Sequence, residues 1–330
     1  MFNSSAFNWS SSAKNISENN QTAWRFHSER SSLTVWFATF VAFSLFGILT
    51  NGILFSVIIR SRALRSGAGL LILHVLANGF VENAVHNPIH GILIYGDNVW
   101  FVRPHGICTY VHVLMGFTQF ANNWAEASLA VNRLVAVIFP FAYKVWSTRK
   151  VTGMMIVLSW LISVASYLPN CFGVGGQFYA TEQGQCTVQI FNKFGSFLVA
   201  VAVYVPYGIV GIITVFLFLF MYVRGFGGYR GRGAPWRPGS QQDVLYRRRL
   251  TVTNMLLMSF LFDVMCAVPL PIFLASFPSV YAGNPLLRLW LRSCLALQYP
   301  ITPVMTSHIL KTVSYLLHMS ALSGDSVRVQ

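Results

Sequence analysis

The sequence predicts an all-α membrane protein, a bundle of seven transmembrane helices with its N-terminus outside and its C-terminus in the cytosol. Three observations predict it. Of the 330 residues 55% are hydrophobic and only 10% are charged, with a mean hydropathy of +0.56; a soluble domain carries about a quarter charged residues. The apolar residues gather into blocks of about 20 or more, the length that crosses a hydrocarbon core. Sixteen of the 23 Lys and Arg residues lie near the ends of the first, third and fifth blocks, after them, or in the C-terminal segment, a bias that keeps those segments cytosolic.

The blocks fall at 33–60, 69–95, 106–138, 151–169, 194–223, 250–277 and 286–310, the second and third with polar residues embedded in them. The tail before them, 1–32, is polar and has no signal-peptide apolar core, so the first span serves as the targeting element. That tail holds four glycosylation sequons, at Asn3, Asn8, Asn15 and Asn20, which agrees with an outside, disordered N-terminus. The membrane domain covers 33–318, and a short cytosolic tail, 319–330, closes the chain. The loop 225–250 is rich in Gly, Arg and Pro and is expected to be flexible and basic.

Several function classes are excluded. The net charge of +14 reads as orientation bias and attraction to inner-leaflet lipid, not as a nucleic-acid surface. No phosphate-binding Gly loop, no H-E-x-x-H and no nucleophile–base set stands out, so neither an enzyme nor a cofactor is expected. His86 and His90 have a metal-compatible spacing with Glu82 one turn further, but no thiol is near and no metal is expected. The lack of an internal repeat argues against a transporter built from duplicated halves.

The polar residues inside the spans carry the rest. His74, Asn78, Glu82, His86 and His90 recur every four residues in span two. Each step advances about 400°, so the set stays within one half of the helix surface and is expected to face the bundle interior. Span three carries His112, Gln119, Asn122, Asn123, Glu126 and Arg133; span six Asp263; span seven Arg288, Arg292, Tyr299, Thr302 and Thr306. Glu126 and Arg133 share a face but stand about 10.5 Å apart along the axis, too far to touch. Glu126 and Asp263 are expected to approach each other. Two carboxylates in low dielectric cannot both ionise easily, so either they share a proton or each is neutral and bonded to Asn122, Asn123 or backbone. Of the five cysteines, Cys108 is positioned to bridge to Cys186 or Cys171; Cys266 and Cys294 are apolar filler.

An ordered set of motifs runs through all seven spans. Asn51 sits in "LTNGILFSV"; Cys108 is followed 25 residues later by Arg133, then Pro140 and Tyr143; Trp160 and Pro169 mark span four, and Pro206 span five. "CAVP" ends at Pro269, and "TPVMT" surrounds Pro303. This set resembles the rhodopsin-like (class A) G-protein-coupled receptors over about 33–318. The stretches "NRLVAVIFPFAYKVWSTRKVT" and "GILTNGILFSVIIRSRALRSGAG" are similar, more particularly, to nematode serpentine chemoreceptors of the Srx-like class.

The resemblance implies a multi-pass plasma-membrane receptor, chemosensory in role, that binds a small extracellular ligand and activates a heterotrimeric G protein. It implies the pairing Cys108–Cys186. It places Arg133 at the cytosolic end of span three to meet the G protein, with Asn132, Pro140, Tyr143, Arg248 and Arg249 beside it; otherwise Arg133 simply snorkels to the interface. It places the ligand among Glu82, His86, His90, His112, Met115, Gln119, Arg288, Arg292 and Tyr299. Met115 stands where amine receptors carry an acid, and span five offers Leu198, Val199 and Ala202, so a catecholamine-like ligand is not expected. Two readings of the pocket stay open: Arg292 and the histidines hold a carboxylate or hydrogen-bonding head, or Glu82 and Arg292 form a structural pair and binding is apolar.

The sequence also departs from the family. Asn132 replaces a common acid; Gly79 stands at an acidic sodium ligand; Ala267 replaces a tryptophan; Thr302 and Thr306 replace Asn and Tyr. A replacement switch is expected among Asn122, Asn123, Glu126, Asp263, Pro269 and Pro303. Two other functions remain in view, a receptor-like protein that does not couple, and a transporter or channel using Glu126, Asp263 and the histidines as an ion path.

Overall fold

The structure is a computed structural model that describes residues 30–61, 68–99, 106–139, 141–180, 186–231, 258–277, 279–280 and 284–304. The four sequons, Pro140, Arg248, Arg249, Thr306 and the 319–330 tail lie outside the described residues.

Seven helical segments coincide with the seven apolar blocks. α1 is Arg30–Arg60. α2 spans 68–99: an α-helix over Ala68–Val81, a π turn over Glu82–His86, and an α-helix over Asn87–Val99. α3 is Ile107–Ile138, α4 is Arg149–Cys171, and one helical turn, Tyr143–Trp146, lies between them. α5 spans 193–231, with a π turn over Ala200–Tyr204. α6 comprises Met258–Ala267 and Pro269–Ser276, and α7 comprises Pro285–Ala296 and continues to residue 304. By length and hydropathy α1, α4 and the Lys193–Phe220 stretch are the described helices that qualify alone as membrane spans.

Both π turns have the same cause. Each ends two residues before a proline, Pro88 in α2 and Pro206 in α5. A proline ring offers no N–H and collides with the carbonyl four residues back, and widening the turn relieves the collision. In α5 the carbonyl four back belongs to Ala202, and it accepts a hydrogen bond from Asn123 Nδ2 of α3 at 3.2 Å. The helix that loses an internal bond is thereby tied to its neighbour.

α3 forms the middle of the bundle and packs against α2, α4 and α5; α1 lies on α2 and α7. Leu33, Trp36, Phe40, Ile94 and Leu289 form an apolar core at the end where α3 begins, and Ala130, Val137, Ile213 and Leu217 form one near its finish. Phe46, Leu49, Ile53 and Val57 are exposed at helical spacing along α1, a stripe suited to lipid tails. Between Cys108 and Arg133 the α3 axis rises about 38 Å, so these two residues stand at opposite faces of a hydrocarbon core about 30 Å thick.

At the Cys108 end the strands β1 (Gly176–Ala180) and β2 (Cys186–Ile190) pair as an antiparallel hairpin. The Cys108–Cys186 disulfide, with a Cα–Cα distance of 5.2 Å, fastens β2 to the first turn of α3. Cys171, the rival partner, is a free thiol whose Sγ lies against the Tyr167 carbonyl.

Close approach of α3 and α4 rests on Gly116. A Cβ there would fall inside the Tyr167 ring, whereas a Cβ on Gly153 of α4 would meet nothing. Gly116→Ala is therefore expected to destabilise the detergent-solubilised protein by about 1–3 kcal/mol. Gly153→Ala should be neutral or stabilising by up to about 1 kcal/mol. Thermal unfolding of the two variants beside the parent measures both.

Candidate functional site

The polar interior divides into a cavity near the hairpin and a deeper cluster between α3, α5, α6 and α7. The cavity is about 240 Å³ and receives side chains from α1, α2, α3, β2, α6 and α7. Its apolar walls are Trp36, Phe40, Ile94, Met115, Leu270 and Leu289; its polar ones include Glu82, His90, His112, Gln119, Thr187, Arg292 and Tyr299. Of the nine residues expected around a ligand, seven line it. His86 and Arg288 do not.

The hairpin is held over this end of the bundle by aromatic packing as well as by the disulfide. The Phe178 ring of β1 stands edge-on to His112 with centroids 5.5 Å apart, and also packs on Tyr167 at 5.5 Å. Tyr167 OH donates to the His112 carbonyl at 2.9 Å, and the phenylalanines 117 and 120 close around its ring. Trp36 Nε1, in the cavity wall, donates to Ser293 Oγ at 2.9 Å and joins α1 to α7.

Glu82 does not pair with Arg292. The π turn carries Glu82 and His86 onto one flank of α2, where His86 Nδ1 lies 3.1 Å from Glu82 Oε2. Thr118 of α3 donates its hydroxyl to Glu82 Oε1 at 2.7 Å. These residues are nearly sealed, Glu82 at 3% exposure and His86 at 1%, so the acid is served from within the α2–α3 interface. Arg292 instead lies one side chain away from β2, its Nη2 3.5 Å from Thr187 Oγ1, and its Nε has no hydrogen-bond partner. The cross-bundle pair, one of the two readings left open, does not form, because His86 and Thr118 reach the carboxylate at short range.

The four-residue stripe on α2 also has two destinations rather than one. Its far end faces α4: Trp160 Nε1 donates to His74 Nε2 at 2.8 Å, and Asn78 Nδ2 lies 3.4 Å from the same nitrogen. Glu82 and His90 face the cavity. The residue expected to be an acid, Gly79, is packed so closely on Asn51 that an added Cβ would lie 2.8 Å from Asn51 Oδ1. Asn51 in turn donates to the carbonyls of Gly47 and Tyr299 at 2.8 and 3.0 Å, so α1 takes up the space and the bonds to α7.

In the deeper cluster Asn122 Nδ2 donates to Glu126 Oε1 at 2.7 Å. Asp263 of α6 lies within electrostatic reach of Glu126, and Tyr207 of α5 is within reach of both. Tyr207 OH donates to Gln298 Oε1 of α7 at 3.3 Å. Among the described residues Asn122 Oδ1, Asp263 Oδ1 and Tyr299 OH have no hydrogen-bond partner. Asn123 is committed elsewhere, to the α5 carbonyl. Above Asp263 the α6 helix bends at Val268, directly before Pro269: Val268 stays helical and keeps its bonds to Val264 and Ile272, while Pro269 has no N–H to give to Met265. Pro303 is buried in α7.

At the opposite end of α3, Asn132 is fully buried and accepts a hydrogen bond from Tyr143 OH at 3.4 Å. Arg133 is partly buried beside it. The sequence reasoning missed Thr118, Thr187, Tyr207 and Gln298. For Thr118 and Tyr207 no pattern marks them; for the π turn that aims Glu82, Pro88 is the readable signal.

Among the described residues lining the cavity there is no lysine. A profile described as "7 transmembrane receptor (rhodopsin family)" matches residues 50–313. The chain is 22% identical over 193 residues to a melanopsin-like protein of Danio rerio, covering 55% of this chain and 37% of that one. It is 22% identical to dopamine receptor 4 of Caenorhabditis elegans, covering 62% and 39%, and 23% identical to a GQ-coupled rhodopsin of Mizuhopecten yessoensis, covering 45% and 30%. It thus spans under half the length of each of these relatives. The crystal structure of squid rhodopsin superposes with a TM-score of 0.70 at 13% identity, covering 86% of this chain and 80% of that one, a likeness of fold.

The Thr118 clamp is testable by itself. Thr118→Val leaves Glu82 one donor short in a buried site and should cost about 1–3 kcal/mol of stability, while Thr118→Ser should retain most of it. Unfolding of both variants in detergent reads the difference.

Proposed function

The chain belongs to the rhodopsin family of seven-transmembrane receptors, and from that premise we propose that it is a chemosensory receptor at the plasma membrane. It binds a small molecule from outside in the hairpin-covered cavity and promotes nucleotide exchange on a heterotrimeric G protein inside. The observation that carries this reading is the layout of α3. One end is fastened by Cys108 to the hairpin over a cavity, and the other, about 38 Å away, presents Asn132 and Arg133 beside Tyr143.

In this reading the N-terminal tail with its sequons is outside, and Arg133, Tyr143, Pro140, Arg248 and Arg249 face the G protein. Between the two ends the Glu126–Asp263 pair takes the place of the altered switch positions. A proton shared between α3 and α6 holds the helices together at rest, and the missing N–H groups of Pro269 and Pro271 loosen the α6 ladder where it parts from α3. Low dielectric favours such sharing, because two facing carboxylates without a counter-cation repel strongly.

The competing reading is a receptor-like protein that no longer couples, which the substitutions at Gly79, Ala267 and Thr302 favour. Fusion of the full chain to a Gα subunit separates the two. Nucleotide exchange should be measurable and should fall at least about tenfold in Arg133→Ala; exchange that never exceeds the unfused Gα supports the competing reading. The double change Glu126→Gln with Asp263→Asn should raise basal exchange and remove its dependence on pH. Unaltered basal exchange and pH response in that variant would refute the shared-proton switch.

A further inference from the structure

We propose that the cavity selects a small organic acid, its carboxylate gripped by Arg292 near the hairpin and its apolar body lying against the α1, α3 and α7 walls. The inference rests on the reading of the cavity as a ligand site and adds the chemistry of what enters it. Its ground is the disposition of charge. A guanidinium in a partly buried wall is costly unless an anion meets it, and Glu82, the acid among the residues lining this cavity, is already held by His86 and Thr118. Among the described residues Arg292 makes a 3.5 Å approach to the Thr187 hydroxyl, and its Nε has no hydrogen-bond partner there.

The surroundings fit a carboxylate. The fork of an arginine matches the two oxygens of such a group and binds it more strongly than a neutral acceptor. His112 lies within electrostatic reach of Arg292 on the same side, and its Nδ1 also has no partner. Glu82 does not cancel the cation at the binding position. Glu82 is bonded to Thr118, ten residues and about 15 Å along α3 from Cys108, whereas Arg292 approaches Thr187, the neighbour of the Cys186 that is bridged to Cys108. The acid therefore lies at the floor and the guanidinium near the mouth. The apolar walls of the same cavity include Met115, Leu289, Trp36 and Phe40, which suit a hydrocarbon or aryl body. At about 240 Å³ the space is below the roughly 300–1,000 Å³ of sites for drug-sized ligands, which limits the acid to a compact one.

The experiment uses the full-length protein in detergent and reads thermal stabilisation against probe concentration. The probes are hexanoate, phenylacetate, their methyl esters, phenethylamine and oleate. Both small acids should stabilise the protein at concentrations about tenfold lower than their esters, as expected for one charge-assisted contact. In Arg292→Met the acids should fall to the level of the esters while ester binding persists, which shows that the cavity is still formed. Arg292→Lys should recover part of the preference. Equal action of acids and esters on the parent, a preference that survives in Arg292→Met, or a stronger effect of phenethylamine would overturn the inference and leave the cavity reading standing. A stronger effect of oleate than of hexanoate would overturn it in favour of an acyl chain from the bilayer. Stabilisation by none of the probes would overturn the cavity reading and the inference together.

Discussion

A polar atom inside a bundle surrounded by hydrocarbon has no water to turn to, so its partner must come from another helix or from its own backbone. That constraint organises this protein. Trp36 reaches Ser293, Asn51 the Tyr299 carbonyl, Thr50 the Pro300 carbonyl, Trp160 reaches His74, Ser163 the Phe117 carbonyl, and Asn123 the Ala202 carbonyl. Individually such bonds contribute about 0.6 kcal/mol and at most about 2. Together they fix which helix lies beside which, a choice that apolar packing alone leaves loose because lipid tails are as apolar as leucine.

Against that background the unmatched atoms gain meaning. Arg292 Nε, His112 Nδ1 and Tyr299 OH belong to residues that line the cavity, and Asn122 Oδ1 and Asp263 Oδ1 lie in the cluster below it. Tyr299 is common to both regions, touching the cavity with its side chain while its carbonyl anchors α1 through Asn51. Gln298, the residue before Tyr299, accepts from Tyr207 OH and so joins α7 to α5 beside the cluster.

Much of the fold was legible because the membrane makes hydropathy nearly decisive. The seven apolar blocks became the seven helical segments, and the spacing of Cys108, Arg133, Trp160, Pro269 and Pro303 announced the family. Seven of the nine residues expected around a ligand line one cavity, since ionisable groups must turn inward. What could not be read was which partner each would choose. Glu82 was a candidate for Arg292 because both were buried acids and bases on neighbouring helices. Thr118, an ordinary residue in an apolar turn, decided otherwise by standing 2.7 Å away. His74 likewise kept the expected period but met α4, because the π turn separates its part of α2 from the part that carries His90.

The π turn over Glu82–His86 holds one residue more than the α turn it replaces, and each residue of an α-helix corresponds to about 100° of rotation. The thirteen residues of Asn87–Val99 are therefore keyed to the rest of the protein through a single widened coil. Losing one residue from that coil would scarcely shorten α2, but it would revolve the whole segment by roughly a quarter of a circle, carrying His90 and Ile94 away from the cavity they line. Chain length at this one place is a dial for what the upper half of the bundle displays.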